Sequence, residues 1–250
     1  AHYPSEFQAS NLTQNISNME EMKEIMADCR KSGIKVLSPD VNESAATFSV
    51  NRDGDIRFGL GGMKGFGDNV VSAIIGERDK NGLFADLFDF MERMAGSINR
   101  KALETLIYSG ALDSFGYKRS QYFQPGADGD LFIDELVRYS GMYAADKLDA
   151  ASSLFGDTEE LRPQRPQVPP FTGEENSLNL LQEEKQYVGM YISSHPLEQH
   201  RFEIEKFANC QLTNLQTLID ELEQAHKTAK ASIAGIVADV KTMNSKNGTP

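Results

Sequence analysis

The run Gly59-Leu60-Gly61-Gly62-Met63-Lys64-Gly65-Phe66-Gly67-Asp68-Asn69 sets five glycines and one lysine between an alternating apolar stretch and a helical one. It could cradle a nucleotide, hold a nucleic-acid backbone, or only turn the chain. A dinucleotide fingerprint needs the spacing G-x-G-x-x-G, so that strand and helix can close on a pyrophosphate. Counted from Gly59 the third position is Lys64, and counted from Gly65 it is Val70, so the fingerprint fails in both registers. A Walker loop needs a hydroxyl residue after its lysine to hold magnesium, and Lys64 is followed by Gly65. What remains is Gly65-Phe66-Gly67 running into a helix at Asp68 or Asn69. There, unpaired N–H groups and the positive end of the dipole favour a phosphate oxygen. Phe66 packs inward, and the flanking glycines let a duplex backbone come close. This is the logic of a helix-hairpin-helix element, directed at phosphates and indifferent to base sequence. A purely structural turn would use the same residues.

Upstream, Thr47–Val50 and Ile56–Phe58 alternate around Asp53-Gly54, a dipeptide suited to a tight hairpin. Ile34–Leu37 is a short strand candidate. Ser17 to Gly33 reads as a helix, with a capping box at Ser17 and Glu20 and an apolar stripe of Met19, Met22, Met26 and Cys29. Downstream, helices are predicted over Asn69–Arg78, Leu83–Met94, Asn99–Ser109 and Asp130–Leu148. A proline-rich stretch, Asp157–Pro170, is expected to stay extended and solvated as a linker. Glu174–His200 resumes a helical pattern, broken at Ser194-His195-Pro196, and Asn214–Gln224 is a further short helix. Ala231–Val240 alternates as a strand opening a β domain.

A second glycine bend follows the first. Arg100-Lys101 begins one helix, Gly110 to Gly116 interrupts it, and Lys118-Arg119 opens a basic segment. Between Ile98 and Gln124 four cations face Glu104 and Asp113, a local balance of +2 in a chain of net charge −12. An acidic body of this kind is not coated in nucleic-acid contacts, so a DNA grip must be a local basic surface. Two distant cysteines, Cys29 and Cys210, indicate neither a disulfide framework nor a zinc site. His195 and His200, five apart around Pro196, do not share a helix face and give no metal site. No apolar run reaches membrane-spanning length, so a soluble, cytoplasmic protein without membrane contact is expected. The opening at Ala1 and the close on Pro250 suggest a piece of a longer chain.

Several ordered blocks resemble one family, the bacterial replicative DNA polymerase III alpha subunit. They are Ala1-His2-Tyr3-Pro4-Ser5-Glu6-Phe7, Pro39-Asp40-Val41-Asn42, the glycine run from Ile56 to Gly67, Asn99-Arg100-Lys101-Ala102-Leu103-Glu104, Gly110-Ala111-Leu112-Asp113 and Glu184 to Leu197. The resemblance implies a mainly α, multi-domain fragment with small β elements. Residues 1–55 would end the fingers region, 56–123 form a tandem helix-hairpin-helix unit, and 124–170 supply a helix, a clamp-peptide-like segment and the linker. Residues 171–230 would be a helical connector and 231–250 the start of an OB fold. The catalytic palm and its magnesium would lie upstream of Ala1, so this segment is not expected to catalyse or to bind a cofactor. The implied partners are duplex DNA, the sliding clamp and other replicase subunits. The implied DNA contacts are Lys64, Gly65, Phe66, Gly67, Asn69, Arg100, Lys101, Gly110, Lys118 and Arg119. The implied clamp peptide is Ser153-Leu154-Phe155, with Ala151 standing where the family uses glutamine. An interaction scaffold whose glycine bends are only structural is the alternative.

Overall fold

In the computed structural model the Asp53-Gly54 turn folds back as the sequence predicts. Strand β1 (Val36–Leu37) pairs in parallel with β3 (Ile56–Arg57), and β2 (Ser49–Val50) pairs antiparallel with it, giving the order β1-β3-β2. The turn is closed by Asn51, whose Oδ1 accepts from the amides of Asp53 at 3.0 Å and Asp55 at 2.9 Å, while Gly54 takes φ +84°. The structure describes residues 3–152, 163–171, 177–194, 196–210, 215–224, 226 and 228–237. They fall into two compact units, 1–193 and 194–250.

The first unit is mainly helical. Helix α1 (Pro4–Gln14) begins with proline at a first-turn position, where a missing N–H costs nothing. Sequence reading assigned no helix there, because the segment is only weakly amphipathic. Helix α2 (Met19–Lys31) starts one residue later than the capping-box reading placed it. Asn18, not Ser17, is the cap, and its side chain accepts from the Glu21 amide at 3.4 Å. Met22, Met26 and Cys29 are buried on the expected stripe. Burial, and secondarily Asp28, raises the Cys29 thiol above its ordinary value, so it behaves as a small apolar residue.

Helices α3 (Asp68–Asn81), α4 (Leu87–Arg93) and α5 (Arg100–Ser109) follow the glycine run. The predicted helix from Leu83 loses its first turn to a partner 42 residues away. The Asn42 side chain holds the Phe84 backbone from both sides, donating to its carbonyl at 2.9 Å and accepting from its amide at 2.8 Å. Asp86 then caps α4 by accepting from the Asp89 amide at 2.7 Å. Helix α6 (Phe132–Ser152) and helix α7 (Ser177–Val188) complete the unit. One apolar core runs from Ala9 through Phe58, Leu60, Phe90, Leu106 and Phe132 to Ile192.

The proline-rich stretch is extended where it is described, but it is not solvated throughout. Pro169 is buried and its carbonyl accepts from Gln121 Nε2 at 2.7 Å. Arg165 lies over the Phe88 ring and pairs with Glu92 at 2.8 Å. The second unit carries α8 (Arg201–Phe207) and α9 (Leu215–Gln224). Residues 231–237 form no regular strand, contrary to the alternation read there, and Ile233 is half exposed. Ala238 to Val240 lie outside the described residues.

Candidate nucleic-acid interface

The five glycines divide by physical cause. A Cβ on Gly59 would lie 2.5 Å from the Thr47 carbonyl carbon, one on Gly61 2.9 Å from the Ala46 oxygen, and one on Gly62 2.8 Å from the Phe58 ring. These three let the run pack against the preceding hairpin. Gly65 takes φ +69°, a left-handed value that a side chain resists. Gly67 needs neither explanation: its φ is −69° and a Cβ there would meet nothing within 4 Å.

Gly67 is the N-cap of α3 and makes no side-chain cap. The amides of Asp68 and Asn69 therefore carry no hydrogen bond among the described residues, whereas those of Val70 and Val71 donate to the Gly67 carbonyl at 2.9 and 3.2 Å. Lys64, Gly65, Gly67 and Asn69 are exposed, and Phe66 between them is buried, anchoring the bend in the core. Open amides at the positive end of a 14-residue helix, with a lysine beside them, are chemically suited to an anionic oxygen.

Opposite the bend lies the start of α5. Lys64, Gly65, Arg100, Lys101, Glu104, Thr105, Gln186 and Tyr187 line one cleft of about 550 Å³. Asn99 caps α5, accepting from the Ala102 amide at 2.9 Å, and this sets Arg100 and Lys101 in the first turn. Lys64 and Lys101 make no ion pair among the described residues and are exposed. Arg100 is partly committed: it pairs with Glu104 and donates to Asp134 at 2.6 Å, and the Asp134 bond raises its guanidinium above the ordinary value. It still shows 45 % of its side chain to solvent.

The second bend is a different object. Residues 113–115 and 119–123 are short 3-10 turns, so the basic segment directly after Gly110 is not an α-helix. Gly110 is buried at φ +83° as the C-cap of α5. A Cβ there would lie 2.2 Å from a guanidinium nitrogen of Arg119. Arg119, expected to face phosphate, is turned inward. It donates to Asp113 at 2.6 Å and to the Tyr108 carbonyl at 3.0 Å, and it meets Glu184 at 3.4 Å. Burial lowers its guanidinium, but the bond and charge of Asp113, then Glu184, outweigh this and raise it. Lys118 is exposed, its backbone amide donating to Gln121 Oε1 at 2.8 Å. The expected set thus separates: Lys64, Gly65, Arg100 and Lys101 line one open cleft, Gly67, Asn69 and Lys118 are exposed outside that lining, Phe66 is buried, and Gly110 and Arg119 serve the interior.

Sequence reading missed α7 as part of this face. Glu184 is fully buried and accepts from the Ile192 amide, from the Ser193 amide at 2.8 Å and from the Ser193 hydroxyl. Tyr187 stacks on Tyr108 at 4.8 Å and donates to Glu104 at 3.3 Å. No local signal marks the packing of α7 on the rest of the unit, since Glu184 meets Arg119 across 65 residues and Tyr187 meets Glu104 across 83.

Ser153, Leu154 and Phe155 lie outside the described residues, as does His195. Among the described residues no three histidine, cysteine or carboxylate groups gather to hold a metal. No helix among them is long and apolar enough to cross a membrane.

A helix-hairpin-helix motif family matches residues 33–122. The chain is 35% identical over 252 residues to the DNA polymerase III subunit alpha of Deinococcus radiodurans, covering 99% of this chain and 18% of that protein. It is 31% identical over 252 residues to the Escherichia coli subunit, and 30% over 253 residues to that of Vibrio cholerae, covering 99% of this chain and 20% of each of those proteins. The chain spans about a fifth of the length of the curated relatives it matches.

Proposed function

We propose that this chain, a segment related along almost its entire length to the DNA polymerase III alpha subunit, grips the backbone of duplex DNA during replication without reading its sequence. The observation that carries this is the cleft where Lys64 and Gly65, on the bend that leads into α3, face Arg100 and Lys101 of α5. Two independent parts of the chain converge there, each with the chemistry of a phosphate ligand. The amides would take one phosphate through the helix N-terminus, Lys64 would neutralise it, and Lys101 would meet a neighbouring phosphate. Nothing in this arrangement reaches for base edges.

Titration of a labelled duplex by fluorescence anisotropy tests it. If about two to four phosphates are contacted, log affinity falls against log salt with a slope of roughly −0.9 per phosphate. Lys64→Ala and Lys101→Ala should each flatten that slope by about one and weaken all sequences alike. Absence of duplex binding in dilute salt would leave the bends as structural turns in a scaffold.

A finer part of the proposal is that the segment tethers the replicase to its sliding clamp through Ser153-Leu154-Phe155, in the cytoplasm and alongside other replicase subunits. What supports it is the Leu154-Phe155 pair beside the proline-rich stretch, where the resemblance places the clamp peptide. Replacing Leu154 and Phe155 by alanine should abolish binding to the cognate clamp while duplex binding stays unchanged. Unchanged clamp binding would remove the peptide from the account.

A further inference from the structure

The helix-hairpin-helix match covers residues 33–122, yet the basic cleft does not keep to those limits. A second cleft of about 830 Å³ shares Lys64, Gly65 and Gln186 with the first, and its remaining walls include Lys23 of α2 and Lys185 of α7. Across both clefts the charged lining is Lys23, Lys64, Arg100, Lys101 and Lys185 against Glu20 and Glu104. In a chain of net charge −12, this clustering of positive charge is the reverse of the average surface.

We propose that the duplex track continues past the motif, with Lys185 and Gln186 of α7 contacting the backbone beside the Gly65 bend and Lys23 the phosphate beyond. This rests on the reading of the first cleft as a DNA grip. Gln186 and Lys185 are exposed on the helix that walls both clefts. An amide donates to a phosphate oxygen without charge, and a lysine adds the charge. Neither lysine is strongly engaged. Lys185 lies 5.3 Å from the Tyr191 ring centre, and Lys23 pairs with Glu20 at 2.6 Å through side chains 40% and 82% exposed, a pairing that water and salt weaken. Helix α7 itself is fixed in advance, by Tyr187 on Tyr108 and by Glu184 on Arg119. A wall already rigid loses little entropy when DNA binds.

The test uses the whole 250-residue chain and a labelled duplex of about 20 base pairs, titrated at several salt concentrations, with far-UV circular dichroism as the folding control. The double variant Lys185→Ala with Gln186→Ala should weaken binding about three- to tenfold and flatten the salt slope by about one. Lys23→Ala should flatten it by a similar step. All three side chains are at least partly exposed and serve no core contact, so folding should be retained. If Lys64→Ala weakens binding while these variants match the unaltered chain, the extended track is wrong and the first cleft stands. If the unaltered chain binds no duplex, the grip itself fails and the extension falls with it.

Discussion

Gly67 and Gly110 show how two residues of one type, read alike from the sequence, diverge in cause. Gly110 is favoured by the fold, since its φ of +83° strains a side chain and a Cβ there, 2.2 Å from the Arg119 guanidinium, would push Arg119 off its partners. Gly110→Ala should therefore cost about 2 kcal/mol or more in urea unfolding, and a loss below about 0.5 kcal/mol would contradict the internal role. Gly67 is not required by the fold, because its φ is −69° and space surrounds it. Gly67→Ser should supply the missing cap of α3 by accepting from the second or third amide of the helix, leaving stability equal or slightly higher. The same hydroxyl and Cβ occupy the place offered to a phosphate, so duplex affinity should fall about five- to tenfold. Stability and binding moving in opposite directions marks a position kept bare for a ligand. Binding that survives the serine would mean that the amides do not face DNA.

At the scale of elements, local patterns in the sequence were reliable where the stabilising partner is near in the chain. The Asp53-Gly54 turn, held by Asn51, and the start of α5, capped by Asn99, lie within a few residues of what fixes them, and both elements were legible. The first bend was legible for the same reason. The second bend was not: Arg119 turns inward to Asp113, six residues away, and to Glu184 across 65 residues, and no periodicity encodes that choice over solvent. A basic residue beside a glycine bend has the same spelling whether it faces phosphate or a buried carboxylate. The element-scale consequence is that α7 is held by an ion pair whose carboxylate is fully buried. Removing one member of such a pair leaves the other without its counter-charge, typically a loss of about 3–5 kcal/mol. Asp113 stays bonded to Arg119, so Glu184→Ala should fall near the lower end, about 3 kcal/mol. It should also release the turn at Ile192 and Ser193, whose amides Glu184 receives. Faster hydrogen exchange at those two amides would report this, and unchanged exchange with full stability would exclude the latch.

For the molecule as a whole, the decisive quantity is the contrast between a body of net charge −12 and a small basic face. These two act over different distances. The cleft cations touch phosphate directly, while the acidic body repels DNA only as far as salt allows. That reach is about 10 Å at 0.1 M salt and about 30 Å at 0.01 M. Between about 50 and 200 mM salt, counterion release from the contacted phosphates should dominate, and log affinity should fall linearly with log salt. Below about 10 mM the field of the body spans the molecule, and the gain in affinity on further dilution should shrink or reverse. Anisotropy titrations carried from 200 mM down to about 5 mM should therefore give a line that bends over at its dilute end. A chain whose binding surface was basic throughout would give no such bend. A line that stays straight to the lowest salt would mean that the DNA lies beyond the reach of the acidic surface. The grip would then have to be sought on a face more isolated from the body than the Lys64 and Lys101 cleft.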